Sequence, residues 1–181
     1  MVTTLVVALT TPTVNSDTTN TNVNSQQISL QRDSGVVRIT RPGNYTVSGS
    51  VNDGGLVVNV DDGTVTITLD GAKIVNNYGP AISIEKAGGT VNVVARENTN
   101  NYLTNGLFGD DTGAVIYSYG SLGISGSGAL YLNARHGEGI VTKGHLEVTD
   151  TTIVINGAFH NPNSTTEVNE IKDLPLDEGD L

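Results

Sequence analysis

Few residues of this chain have the types and spacing to do chemistry. Arg135, His136 and Glu138 lie close together, and His145 follows near the next predicted turn. Cleaving a glycosidic bond needs paired carboxylates, or a carboxylate working with Arg, Lys or His across the scissile bond. A single carboxylate in a local cluster reads instead as a solvated corner. Two acidic pairs stand out, Asp61 with Asp62 and Asp110 with Asp111. Calcium takes roughly 6–8 oxygen ligands, so such a pair is only part of a site. Asp62-Gly63 also has the chemistry of a turn. Asp110 and Asp111 are the candidate metal ligands. The tyrosines offer another chemistry, because an apolar ring with a polar tip suits stacking against sugars. Of Tyr78, Tyr102, Tyr117, Tyr119 and Tyr131, the candidate glycan contacts are Tyr102, Tyr117 and Tyr119. Tyr117 and Tyr119 lie two apart on a predicted strand and are expected to share a face. No catalytic residue, enzymatic activity or cofactor is expected.

These residues have to be positioned by β-structure. The 181 residues suffice for one domain, and Val, Ile, Thr, Asn and Gly dominate, with 22 glycines, no Trp and no Cys. That composition favours many short strands joined by turns. A net charge of −10 opposes nucleic acid and anionic lipid as partners, since both select basic surfaces. The absence of cysteine removes disulfides and thiol chemistry. The apolar start has no Lys or Arg before Arg32, unlike a signal peptide, and it is too short to span a bilayer. A mature chain acting outside the cell or at its surface is expected.

Residues 2–9 read as a strand that is apolar on both faces, with Val2 and Val6 on one side and Leu5, Val7 and Leu9 on the other. Such a strand needs burial on both faces. A Thr/Asn/Ser-rich tether follows to Gln27. Its roughly 18 residues could reach ~60 Å when extended. From Ile28 the chain repeats. Residues 55–59, 80–84, 114–118 and 139–143 align, and each is followed by a second alternation, beginning at Val65, Val91, Leu122 and Leu146. Units of this size with short strands suit the coils of a parallel β-helix, in which each coil buries its inward side chains against the next. Residues 97–113 read as an extended loop inserted into one coil. A β-sandwich is the alternative, with Asp62-Gly63 as a hairpin turn. After Phe159 the chain is acidic and reads as a solvated tail. Ile171, Leu174 and Leu176 within it could dock as an edge strand.

The segments PGNYTVSG at 42–49, LDGAKI at 69–74, GPAI at 79–82, GAVIYS at 113–118, LGISGSG at 122–128 and GIVTKGHLEV at 139–148 resemble a bacterial family of carbohydrate-binding β-helix proteins that bind cellulose or pectin. The resemblance implies an all-β, single-domain, right-handed parallel β-helix that binds polysaccharide and holds calcium at aspartate-rich corners. In this chain those corners would be Asp110 and Asp111. The expected organisation is a strand arm and linker over 1–27, a β-helix core over 28–160 and an acidic tail over 161–181. Two functions follow. In the first, copies of the chain assemble into an extracellular adhesive filament, with Val2, Leu5, Val6, Val7 and Leu9 donated as a strand to a neighbour. In the second, the repetitive outer face binds polysaccharide.

Overall fold

A computed structural model describes residues 25–107, 113–158 and 171–173. Within them there is no helix. Fifteen strands form one continuous sheet in which every pairing is parallel. Parallel pairing throughout excludes the sandwich of hairpins. The strands sort into three ladders. The first contains β1 (Ser25–Leu30), the start of β3 (Gly43–Val51), β5 (Val65–Leu69), β8 (Val91–Ala95), β11 (Leu122–Ser125) and β13 (Leu146–Thr149). The second contains β2 (Val37–Ile39), β4 (Leu56–Asn59), β7 (Ile82–Lys86), β10 (Ala114–Ser118) and the end of β12 (Ala129–Thr142). The third runs from the end of β3 through β6 (Lys73–Val75), β9 (Asn100–Thr104), the start of β12 and β14 (Thr152–Ala158) to β15 (Ile171–Asp173). The chain therefore returns to each ladder one strand further on, an arrangement compatible with a solenoid.

Alternation along each strand explains the core. In the first ladder Val65, Val91, Leu122 and Leu146 stack in register, as do Ile67, Val93, Ile124 and Val148. All are buried, and each large aliphatic residue contributes about 1.5–3 kcal/mol by leaving water. This register matches the sequence alignment. In the second ladder the alignment of β7 with β10 is in register, but the steps from β4 to β7 and from β10 to β12 need a shift of one residue. It set Leu56 against Ala81, whereas Leu56 pairs with Ile82, and Ile116 pairs with Ile140. The runs involved are apolar at consecutive positions, so alternation does not specify their register.

Two further expectations are corrected. Residues 97–113 are not wholly a loop, because β9 lies inside them and pairs with β6 and β12. Its inward positions are Leu103 and Asn101, both fully buried, and the Asn101 side chain accepts a hydrogen bond from Ala72 N at 3.0 Å and donates to Ala129 O at 3.2 Å and Thr99 Oγ1 at 3.0 Å. Strand β1 begins at Ser25, earlier than the predicted start of the repeats. In the acidic tail, Ile171–Asp173 does add an edge strand beside β14. Leu174, Leu176, the arm residues Val2, Leu5, Val6, Val7 and Leu9, and Asp110 and Asp111 lie outside the described residues.

The long strands β3 and β12 each serve two ladders, and a left-handed glycine marks each corner. Gly49 has φ +86° and Gly137 φ +73°. A Cβ at either would overlap a carbonyl oxygen of the neighbouring strand or turn, that of Leu30 or of Gly113. Only glycine combines that backbone conformation with so close an approach.

Candidate functional site

The acid/base candidates do not converge. Arg135 and His136 sit at the bend in β12 between the third and second ladders. Asn105 holds their backbone there, accepting from Arg135 N at 2.8 Å and donating to His136 O at 2.6 Å. His145 lies beyond the end of β12, before β13, so the second half of β12 separates it from His136. Among the described residues no group of three or more His, Asp or Glu side chains could hold a metal. Asp61 forms a salt bridge with Lys86, and that hydrogen-bonded cation holds its carboxyl below the usual carboxylate range. Asp62 accepts from Gly63 N at 2.8 Å, the predicted turn contact. It joins successive ladders and makes no hairpin.

The tyrosines do not form a single row. Tyr117 is buried at 5% exposure, so its ring has no open face for a sugar, contrary to expectation. It lies on β10, whereas Tyr119 lies just past the strand end and is exposed. Their rings meet edge to face, with centroids 5.1 Å apart. The two rings therefore lie on one side of the chain, as expected, although Tyr119 lies beyond the strand end and Tyr117 is covered. Tyr78, also exposed, sits in the turn between β6 and β7.

Tyr102 and Tyr131 are brought together by the register of β9 with β12. Their rings stack with centroids 4.8 Å apart and planes 13° from parallel. Each ring covers one face of the other. Tyr102 is 45% exposed and Tyr131 is half-buried. Register extends this column to Lys73 on one side and Val154 on the other. The adjacent column contains Val75, the covered Thr104, Asn133 and Asn156, where Asn156 Nδ2 donates to Asn133 Oδ1 at 3.1 Å. On the other flank are Asn100, Ala129 and Thr152. From β6 to β14 no outward position of this ladder is Asp or Glu, although the chain has 19 such residues. The result is a flat face of amides, hydroxyls, one lysine and an aromatic pair. Such groups hydrogen-bond hydroxyl-rich ligands and pack against the C–H faces of sugar rings.

The comparisons agree with that chemistry. Residues 33–175 match the family described as carbohydrate-binding domain-containing protein. A curated protein of Acetivibrio thermocellus with the same description is 33% identical over 127 residues, covering 66% of this chain and 44% of the relative. The chain thus spans less than half the length of that relative. No solved structure matches it. With the family match extending over most of the chain, from just after β1 to β15, the protein belongs to the carbohydrate-binding domain-containing family.

Proposed function

We propose that the chain is a right-handed parallel β-helix acting outside the cell as a non-catalytic, polysaccharide-binding module, and that the outer face of the third ladder is its binding surface. The observation that carries this reading is the exposed Tyr102 ring stacked on a half-buried Tyr131 within an acid-free face, in a chain of the carbohydrate-binding family. A sugar would pack against the exposed edge of Tyr102, while the phenol hydroxyls, Asn133 and Lys73 hydrogen-bond its hydroxyls. The ladder spaces equivalent outward groups by about 4.8 Å, which gives an extended glycan repeated contacts along the stack. The test is retention on insoluble cellulose, xylan and pectin. Tyr102→Ala and Tyr131→Ala should each weaken retention about 3- to 10-fold, corresponding to roughly 0.5–1.5 kcal/mol for a lost aromatic contact. Unchanged retention by both variants, with the fold intact by circular dichroism, would assign binding to another face.

A further inference from the structure

Tyr119 stands apart from the aromatic pair of the third ladder. It follows β10 in the connection to β11, at the corner where the chain passes from the second ladder to the first, on the side of the coil that the third ladder does not occupy. It is 62% exposed, and its ring rests edge to face on the covered ring of Tyr117. Tyr119 N donates to Ile84 O at 3.0 Å and Lys143 N to Ser118 O at 2.8 Å. With Ile84, Ser118 and Thr142 in register, this sets Glu85, Tyr119 and Lys143 side by side on successive coils, their backbones about 4.8 Å apart. Ser118 Oγ and Thr142 Oγ1 both donate to Gly120 O, at 2.8 and 2.7 Å, and tie the two corners together. Glu85 accepts from Asn59 Nδ2 at 3.2 Å and lies 3.8 Å from Arg38. Lys143 has no ion pair among the described residues. A ring propped by a second ring has little freedom left to lose on binding. With an acceptor on one side and a donor on the other, it can pack against a sugar ring and hydrogen-bond its hydroxyls.

We infer that the protein bridges two glycan chains, one on the third-ladder face at Tyr102 and a second at the Tyr119 corner. The inference rests on the polysaccharide-binding reading above and adds a second contact to it. A glycan extended along the stack at Tyr102 stays on the third ladder, so reaching Tyr119 would require it to turn across the coil. Two chains can be held at once without such a turn. Each protein then joins neighbouring chains of a polysaccharide network. Where one surface offers both chains, the second contact forms within an existing complex and adds avidity.

Sandwich capture is the experiment. The full chain is bound to insoluble cellulose, xylan or pectin and washed, and a fluorescently labelled soluble form of the polysaccharide that retains it is added: hydroxyethyl cellulose, arabinoxylan or pectin. The protein-bearing solid should hold more label than the same solid without protein. Tyr119→Ala with Lys143→Ala should lower capture about 10-fold or more, through loss of an aromatic contact and a hydrogen-bonding cation, while retention on the solid changes by less than about 2-fold. Tyr119→Phe should keep most of the capture, since the ring remains. Capture by the double variant equal to that of the unchanged chain overturns the inference, because bridging would then come from elsewhere, association between copies included. Retention without capture also overturns it and leaves the polysaccharide-binding reading standing. No retention on any of the three solids overturns both.

Discussion

Tyr45 shows how position in the stack sets the behaviour of a side chain. It points inward near the first end and is buried, its hydroxyl donating to Arg41 O at 2.8 Å. Burial raises its pKa above the ordinary 10.0, against smaller lowering effects of the Gln26 hydrogen bond and the Arg41 charge. The folded protein therefore resists ionisation that the unfolded chain accepts. This contribution is fully present below pH 10 and is lost as pH rises through the folded pKa. Tyr45→Phe should flatten the alkaline fall in stability, read by urea unfolding between pH 9 and 11, while costing about 0.5–1.5 kcal/mol at pH 7 for the lost hydrogen bond. Asn101 serves a structural purpose at the same scale, since its one amide ties β9 to backbone groups on both flanking coils. Asn101→Leu would leave the Ala72 N–H and Ala129 carbonyl without this partner. The expected loss is about 2–5 kcal/mol, read as a lower urea midpoint.

At the scale of elements, β12 depends on its corner. Gly137→Val would place a β-branched residue at φ +73° with its Cβ against the Gly113 carbonyl. The strain should cost at least about 1–3 kcal/mol and lower the melting temperature by several degrees in calorimetry. Strands with clean alternation were legible in the sequence. Val65, Val91, Leu122 and Leu146 were aligned correctly because every second residue is apolar. The run at β4 is misplaced by one position because Leu56, Val57 and Val58 give no alternation, and β9 reads as loop because an amide, Asn101, takes one of its two inward positions, leaving Leu103 as a lone apolar signal. Site legibility followed the same divide. Tyr102 was identifiable as a candidate from its chemistry, but its pairing with Tyr131 depends on a register between strands 29 positions apart. No local pattern encodes that.

Across the described residues, the strand acids Glu85 and Glu138 lie in the second ladder, and the long faces of the first ladder and of the third from β6 to β14 are nearly neutral, with Glu147 the one acid at an outward position of the first. A flat neutral face can approach an extended glycan without like-charge repulsion, despite the strongly negative total. The parallel ladders have a mechanical consequence as well. Backbone hydrogen bonds between neighbouring strands point along the stack, and the first and last described strands lie at its opposite ends. A pull on those two ends loads a few of these bonds at a time, so the molecule peels coil by coil at low force. A sideways load is shared by many bonds in shear, which makes the same protein compliant along its axis and stiff across it.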